Sequence, residues 1–335
     1  MSKKFKKIEL FQWPEPAFCK FINKKLTTYK FKTPQKKPNQ SKIKKIEKFF
    51  KKKYKVKFAV LLPSGRAGIN NVLKYFNFNR SKIVNVPMWS SSCLLHSLTS
   101  ITNVTVKNDN ADCNIIVHKW GHTYNLKKRN KLIIDDSADC FPGSNYKPFE
   151  NSSVCEILSL PKLIGSYCGG IVTTNRKNIY KFLKKQQKIN KNLGISQSKR
   201  KYFSTFIDPK NFDWRYYESL NSFVDYNAVE NIFKCINNFD LNLKIIKDRQ
   251  RIVKKYFNII LDKKRVGPCI IFKKNKFKYF KSILETKNFD FTLKANNEKY
   301  EHSYIFPIHF GIPNKVFEDK LKNLVKTKRH FLFKK

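Results

Sequence analysis

The chain has 335 residues, 41% of them hydrophobic, which is enough for one large domain with a substantial core and a smaller second domain. No apolar run approaches the ~18 residues of a membrane helix, and the lysines of residues 1–16 are not followed by the apolar stretch of a signal peptide. We therefore expect a cytoplasmic protein without a membrane span, whose net charge of +46 raises the question of a nucleic-acid or anionic-membrane partner.

The positive charge has two readings. Ten arginines leave 60 of the 70 basic residues as lysine, and these run along the whole chain, which indicates a compositional bias. In residues 42–57 the apolar residues fall at helical spacing, so the lysines there can occupy a solvated face. Aromatic residues also interleave with lysines in 48–57 and 272–281, as in proteins that bind single strands by stacking. We expect only non-specific binding of nucleic acid.

Short apolar strands alternate with amphipathic helices through the first two thirds of the chain. This alternation predicts an α/β fold with a mostly parallel sheet that helices cover on both faces. Helix 42–57 is followed by predicted strands at 58–62, 83–86, 104–106, 115–118, 132–135, 154–159 and 171–174, and by predicted helices at 65–76, 93–101 and 178–188.

The last third predicts a different organisation. Residues 190–225 are polar and aromatic, and we predict an irregular connector and active-site flap that reaches a neighbouring subunit. A long helix from Ala228, strands near 266–272 and 304–309, and helices between and after them predict a small C-terminal α/β domain. We therefore divide the chain into a large domain, 1–225, with an N-terminal segment 1–40, and a small domain, 226–335.

Eight cysteines are scattered through apolar stretches without a Cys-x-x-Cys pair or a Cys/His cluster. This pattern predicts buried thiols in a reducing compartment, with no disulfide framework and no metal site. Cys168 is the possible exception to this purely structural role, because it lies beside a glycine pair.

Two pairs of polar residues lie at the ends of predicted strands of the sheet. Asp135 and Asp136 end one apolar run, and Ser159 and Lys162 follow the next, ahead of Gly169 and Gly170. Side chains at the carboxyl ends of strands line the ligand crevice of open α/β sheets. Pyridoxal 5′-phosphate (PLP) chemistry needs an amine that binds the aldehyde and a carboxylate that keeps the pyridine nitrogen protonated. Lys162 and Asp136 are the candidates for these two roles.

The order of motifs resembles the DegT/DnrJ/EryC1/StrS family of sugar aminotransferases, which are fold-type I, PLP-dependent enzymes. The matching elements span about residues 46–261. They are Ser64-Gly65-Arg66-Ala67, Val117-His118-Lys119-Trp120-Gly121, Asp135-Asp136-Ser137-Ala138, Ser159 with Lys162, and Gly169-Gly170, flanked by 46–60 and by a long helix at 247–261.

The resemblance implies a role for each residue of a cofactor-binding large domain. Lys162 carries the cofactor, and Asp136 pairs with the pyridinium nitrogen. Trp89 stacks on the pyridine ring. His118 ends a predicted strand, and from this position we interpret it as structural rather than catalytic. The remaining implied contacts are Ser64, Gly65, Arg66 and Ser159 at the phosphate, Asp139 near the phenolic oxygen, and Asn221 as a phosphate contact from the partner subunit.

The chain also departs from the family pattern. Asp135 replaces a glutamate, Asp139 stands where Gln or His is usual, and Cys168 replaces the acid that often precedes the glycine pair. Only two residues separate Ser159 from Lys162, as in a short-loop branch of the family. These departures make transfer of the substrate by analogy unsafe.

The implied activity is transfer of an amino group from an amino acid, glutamate in most of the family, to a nucleotide-linked keto-sugar in surface polysaccharide or glycan synthesis, by a homodimer. Two alternatives stay open. A PLP-dependent sugar dehydratase usually has histidine at the lysine position, so Lys162 argues against it. A nucleic-acid-binding protein on a degenerate enzyme scaffold is favoured by charge alone.

Overall fold

A computed structural model describes residues 14, 30–32, 37–87, 89–106, 111–125, 131–189, 191–207, 221–273 and 303–332. Eight strands lie in its first part: β1 (Phe58–Leu62), β2 (Ile83–Asn85), β3 (Asn103–Thr105), β4 (Cys113–Val117), β5 (Leu132–Asp136), β6 (Phe141–Pro142), β7 (Cys155–Ser159) and β8 (Gly170–Thr174). The helices there are α1 (Gln40–Lys53), α2 (Gly65–Tyr75), α3 (Ser92–Thr99), α4 (Leu160–Ile164), α5 (Lys177–Gln186) and α6 (Lys191–Phe206).

All of these strands except β6 form one sheet, in the order β1-β8-β7-β5-β4-β2-β3. Strand β8 runs antiparallel to both of its neighbours, and the other neighbouring pairs are parallel. The mostly parallel sheet is therefore confirmed. Because β1 is antiparallel to β8 and β8 to β7, strands β1, β4, β5 and β7 all end at one edge.

Apolar side chains pack on both faces of the sheet, because successive residues of a strand point to opposite faces. Val60 and Leu62 of β1 belong to a cluster with residues of α2, α3 and α5. Ala59 and Leu61 belong to a second cluster with α1 and with residues beyond 225. Helices therefore cover both faces of the sheet, as predicted.

Helix α1 confirms the solvated-face reading of its lysines. Ile43, Ile46, Phe50 and Tyr54 are at most 2% exposed. The ring of Phe50 packs against that of Phe239 with centroids 5.8 Å apart, and the Tyr54 hydroxyl donates to the Cys140 carbonyl at 2.7 Å. Since these rings are part of the core, they are not a stacking surface for nucleic acid. The second lysine-aromatic stretch, 272–281, lies mostly outside the described residues.

Residues 191–206 are helical, so the prediction of an irregular connector is wrong for this part; residue 190 and residues 208–220 lie outside the described ranges. The inner face of α6 carries Gly194, Gln197, Ser198 and Lys201, together with Thr205 and Phe206. Small and polar residues at these positions leave no apolar periodicity for a sequence pattern to detect.

The C-terminal part contains α7 (Tyr226–Cys235), α8 (Asn238–Tyr256), β9 (Arg265–Val266), β10 (Cys269–Lys273), β11 (Ser303–Pro307) and α9 (Asn314–Leu332). The single long helix predicted from Ala228 is interrupted at Ile236 and Asn237, and the helix predicted over 247–261 ends at Tyr256. Strands β10 and β11 pair antiparallel, close to the predicted positions. The helices predicted between them fall outside the described residues.

Contacts join this C-terminal part to the sheet. Strand β9 pairs antiparallel with β6, and the buried Arg265 guanidinium donates to the buried Glu156 carboxylate of β7. The Tyr146 hydroxyl donates to the same carboxylate. One hydrophobic cluster contains residues from both sides of position 225, so the two predicted domains share a core.

The seven cysteines of the described ranges are free thiols, five of them buried. In these same ranges no helix is long and apolar enough to cross a membrane.

Candidate active site

The predicted site residues lie where the parallel strands end at their common edge. Ser64 follows β1, His118 follows β4, Asp136 ends β5 and Ser159 ends β7. Backbone hydrogen bonds tie these ends together, from Gly169 N to Pro63 O at 2.8 Å and from Ser159 N to Ala138 O at 3.1 Å. The fold therefore brings the sequence-predicted residues of three strand ends, Ser64, Asp136 and Ser159, to one edge of the sheet, which is where open α/β sheets have their ligand crevice.

Ser64 caps α2 and shapes an anion-binding turn. Its hydroxyl accepts a hydrogen bond from Ala67 N at 3.1 Å, and Gly65 begins the helix. A Cβ on Gly170 would lie 2.3 Å from the Ser64 carbonyl carbon and 2.4 Å from Gly65 N, so only glycine fits this contact. The first turn of a helix presents backbone N–H groups and the positive end of the dipole to an anion. Arg66 is half-buried in this turn.

A cavity of about 30 Å³ lies beside Ser64. Helix α6 and residues 221–225 form its other walls, with Lys201 and Asn221 among the lining residues. The Asn221 side chain accepts from Phe223 N at 3.0 Å and donates to Phe223 O at 3.2 Å. The structure thus places Asn221 and Ser64 at one cavity within a single chain. Lys201, which is 9% exposed, is a further cation at this cavity. The sequence pattern did not indicate it, because it predicted an irregular segment here instead of a helix.

Asp136 is buried at the end of β5. One carboxylate oxygen accepts from Ala138 N at 3.1 Å. Burial raises the pKa of Asp136 to about 6, while the positive charge of Lys162 opposes that rise. The Lys162 amine is therefore near enough to the Asp136 carboxylate to affect its ionisation.

Lys162 is partly buried on the single turn of α4, between Pro161 and the left-handed Gly165 at φ 68°. Burial acts to lower the pKa of Lys162, but Asp139, followed by Cys93 and Asp136, outweighs it, so the pKa lies above its usual value. Desolvation alone would lower the pKa of this lysine, and the neighbouring groups reverse that effect. Two carboxylates stabilise the ammonium more than burial destabilises it.

The Asp139 carboxylate is hydrogen-bonded to the protein backbone. It is 4% exposed and accepts from Trp120 N at 3.2 Å. Trp120 has a left-handed backbone, φ 53°, and Gly121 has φ 82°. A Cβ on Gly267 would lie 1.7 Å from the Trp120 carbonyl oxygen, so the C-terminal part holds this turn in place.

Lys119 is a second lysine in the crevice, and the sequence reasoning did not single it out. Its amine donates to the Trp89 carbonyl at 2.9 Å and lies 4.9 Å from the centre of the Trp120 ring. Burial lowers its pKa to about 8, and the charge of Lys162 adds to that effect while Asp139 opposes it.

Trp89 is 5% exposed and packs against Tyr124 and Ile271, with the Tyr124 ring centre 5.5 Å away. This packing is a structural role for the ring. Stacking of Trp89 on a pyridine ring stays a prediction.

His118 is fully buried and hydrogen-bonded on both sides, as expected for a structural residue. Tyr124 N donates to its Nδ1 at 3.0 Å, so we assign the proton to Nε2, which lies 3.1 Å from an Asp135 carboxylate oxygen. The Ser153 hydroxyl donates to the same carboxylate at 2.6 Å. Burial lowers the pKa of His118, in agreement with an Nδ1 that accepts a hydrogen bond. These hydrogen bonds fix the His118 ring and stabilise the loop after β4.

The crevice fits a phosphorylated pyridine aldehyde such as PLP. The Lys162 amine and the buried Asp136 carboxylate affect each other's ionisation, and a helix N-terminus with a close glycine contact lies at the same edge of the sheet. Lys162 would hold the aldehyde carbon, Asp136 the pyridine nitrogen, and the turn at Ser64 the phosphate.

Several solved structures share this fold. The S. venezuelae enzyme DesV in complex with a ketimine intermediate has a TM-score of 0.60 at 11% identity, covering 88% of this chain and 90% of its own. A DegT DnrJ EryC1 StrS aminotransferase from Brucella abortus has a TM-score of 0.61 at 11% identity, covering 87% and 91%. A histidine-to-asparagine mutant of GDP-4-keto-6-deoxymannose-3-dehydratase with bound GDP-perosamine has a TM-score of 0.59 at 14% identity, covering 87% and 93%.

These identities establish the fold alone. Among curated proteins, none matches the sequence. The family model described as "Putative PLP-dependent aminotransferase" matches residues 46–328, which is most of the chain and includes each of the predicted site residues. The chain therefore belongs to this family of PLP-dependent aminotransferases, and PLP is its cofactor.

Proposed function

We propose that this aminotransferase moves an amino group from an amino acid, most simply glutamate, to a keto-sugar carried on a nucleotide, within surface polysaccharide or glycan synthesis. The observation that carries the proposal is that Lys162 and Asp136 affect each other's ionisation at the strand-end edge of the sheet, in a fold shared with a protein described as "Putative sugar aminotransferase" and with GDP-4-keto-6-deoxymannose-3-dehydratase. A homodimer in the cytoplasm is part of this proposal.

Two residues have distinct tasks in the reaction. When bound, PLP supplies an electron sink for the bond that breaks at the amino-acid α-carbon. Asp136 holds a proton at the pyridine nitrogen through its negative charge. The Lys162 amine would hold the aldehyde carbon and, when free, would move a proton at the donor α-carbon as a general base and acid. Lys162 must lose its own proton before it can do so.

The nucleotide of the acceptor suits the charge of this chain. A diphosphate bears negative charges, and an excess of 46 positive charges favours its approach to any open crevice. In the dehydratase neighbour the bound ligand is GDP-perosamine, which is a nucleotide-linked amino sugar. We infer the same class of ligand for this chain.

The test is a reaction in two stages. PLP-loaded protein is mixed with single amino acids while its absorbance is followed, and each nucleotide-linked keto-sugar of a panel is then added and analysed by mass spectrometry. We expect glutamate to change the spectrum and one keto-sugar to gain an amino group. Lys162→Met should abolish both stages, whereas Lys185→Met, a change at an exposed lysine of α5, should alter neither.

Two results would contradict the proposal. Loss of a hydroxyl from the sugar without gain of nitrogen would identify a dehydratase instead. Amination of simple keto acids combined with no reaction of any nucleotide-linked sugar would remove the sugar from the proposal.

A further inference from the structure

Helix α6 exposes two large apolar side chains to solvent. Phe203 is 55% exposed and Ile207 is 57% exposed, although the opposite face of the helix is buried. Ile207 N donates to Phe203 O at 2.8 Å, so the helical turn continues to residue 207 and the two side chains lie one turn apart on one face. Scattered single apolar residues are normal on a protein surface, whereas adjacent ones form a patch of the kind that binds a partner.

Positive side chains border this apolar patch. Lys199 and Arg200 are exposed and lie one helical turn before Phe203, on the same face. The inner face of the helix instead directs the buried Lys201 toward the cavity beside Ser64. We call the exposed set the outer face of α6: Lys199, Arg200, Phe203 and Ile207. It combines apolar and cationic side chains, and it faces away from that cavity.

The sequence around the outer face contains no acid that would balance its charge. No aspartate or glutamate occurs between Glu156 and Asp208, and residues 176–207 contain ten lysines and arginines. Among these, Lys188 and Lys191 are exposed where α5 leads into α6. The excess of lysine extends along the whole chain, but the absence of acids is local to this segment. The charge of this region therefore favours an anionic partner.

The apolar side chains decide which anionic partner fits. A second copy of the chain in two-fold contact through this face would bring Lys199 and Arg200 of both copies together, which is unfavourable. Nucleic acid matches the charge and can stack on Phe203, but Ile207 offers no ring for a base. A bilayer with anionic lipids matches both features, because its headgroups attract the cations and its acyl chains accept the apolar side chains.

We propose that the outer face of α6 docks this enzyme reversibly on an anionic membrane surface. Phe203 and Ile207 enter the boundary between headgroups and acyl chains, and the neighbouring cations lie at the level of the headgroups. A small apolar contact binds a membrane only marginally, so the electrostatic attraction of the basic segment is needed as well. The inference is independent of the proposed reaction, because the outer face is not part of the cofactor site.

Sedimentation with lipid vesicles tests the proposal on the full chain. The bound fraction is measured at increasing lipid concentration in about 150 mM salt, which screens long-range attraction. One set of vesicles is phosphatidylcholine alone, and the other is an equimolar mixture of phosphatidylcholine and phosphatidylserine. We expect binding to the mixed vesicles and little binding to the neutral ones. Thermal unfolding checks that each variant is folded.

The apolar contribution is tested by changing both side chains. Phe203→Ala combined with Ile207→Ala should raise the lipid concentration at half-maximal binding about 10-fold, because the apolar contact with the bilayer is lost. Ile260→Ala is the matched control. Ile260 is 98% exposed outside α6, so its removal should leave binding unchanged.

The charge contribution is tested by a second pair of variants. Lys199→Gln combined with Arg200→Gln should raise the same lipid concentration about 25-fold, at roughly 5-fold for each charge near the surface. Lys247→Gln combined with Lys254→Gln removes an equal charge from exposed positions of α8. That control should raise it by less than about 3-fold, because those lysines do not lie at the docked face.

Equal effects of the α6 variants and their controls would overturn the inference, because total charge alone would then explain the binding. Equal binding to neutral and mixed vesicles would also overturn it. Conversion of a dimer to a monomer by Phe203→Ala with Ile207→Ala, measured by light scattering, would identify the face as a subunit contact instead. Weaker binding of a single-stranded oligonucleotide by the same variant would assign Phe203 to base stacking and would equally contradict membrane docking.

Discussion

At the scale of single residues, the ionisation of Asp136 links cofactor affinity to pH. Burial raises its pKa to about 6, which is above the ~3.9 of an exposed aspartate. The folded, cofactor-free chain therefore binds a proton here more tightly than the unfolded chain does, and this group's contribution to stability is lost as pH rises from about 4 to about 6. Below about 6, the neutral carboxyl lacks the charge that pairs with a pyridinium.

We predict that PLP affinity falls as pH drops through about 6, because Asp136 then becomes neutral. Asp136→Asn should weaken PLP binding at pH 7.5 by about 30-fold, equivalent to ~2 kcal/mol for a hydrogen bond to a charged group, and should flatten the pH dependence. Fluorescence titration of cofactor-free protein measures both. Asp319→Asn, at an exposed acid of α9, is the control. Equal affinities and equal pH profiles for Asp136→Asn and the control would show that another carboxylate holds the pyridine nitrogen.

Sequence patterns identified Asp136 and Lys162 because both follow apolar strands, and strand ends converge in this class of fold. They did not identify Lys119 or Lys201, since one lysine among 60 carries no signal of its own. Sequence patterns also could not predict the direction of the Lys162 pKa shift. It depends on how close Asp139 and Asp136 come, which only the folded chain shows.

At the scale of elements, helix α6 and residues 221–225 enclose the cavity beside Ser64. Lys201 is the buried cation there, and the first turn of α2 supplies N–H groups on the other side. We therefore place the phosphate end of the cofactor against this cavity.

We predict that Lys201→Met weakens binding of PLP by about 10-fold, as loss of a charge-assisted contact to phosphate should. Binding of pyridoxal, which lacks the phosphate, should be unchanged. Parallel titrations with the two compounds measure the difference, with Lys185→Met as control. Equal losses for both compounds would indicate that Lys201 only supports the fold.

Helix α1 contributes stability rather than binding. Phe50 is fully buried and packs against Phe49 and Phe239 at 5.2 and 5.8 Å between ring centres. Phe50→Ala should lower the free energy of unfolding by about 3–5 kcal/mol, because it leaves a cavity in the core. Urea denaturation measures this loss. A change below ~1 kcal/mol would mean that the ring is not packed as described.

The regular elements of the first part could be predicted from sequence because each has a clear period. Strand β1 was placed at its observed bounds, and the four apolar residues of residues 42–57 recur at helical spacing. Helix α6 escaped prediction, since its buried face includes Gly194, Gln197 and Ser198. The break at Ile236 and Asn237 contains no proline or glycine, so the sequence gives no signal for the end of the helix there.

At the scale of the whole molecule, the charge of +46 is spread over a folded enzyme. Of the three rings that suggested stacking on bases, Phe50 and Tyr54 are buried, and the half-buried Phe49 packs against Phe239 with ring centres 5.6 Å apart. What remains for nucleic acid in the described part of α1 is the charge of exposed lysines, and charge alone gives binding through counterion release.

We predict that duplex and single-stranded DNA bind weakly, without sequence preference. Affinity should fall about 10³-fold or more as salt rises from about 50 to 200 mM, because only phosphate contacts contribute. Fluorescence anisotropy at several salt concentrations measures the slope, with PLP capture followed in the same samples as a control for folding. Tight binding that survives 200 mM salt would support the nucleic-acid alternative.

The central claim is that Lys162 is the lysine that holds PLP, and one measurement tests it most directly. The protein is incubated with PLP, reduced with borohydride, digested and mapped by mass spectrometry. We predict a yellow protein and a single dominant label on the peptide that contains Lys162, at one label per chain. A colourless protein, or label spread over surface lysines with Lys162 unmodified, would contradict the account.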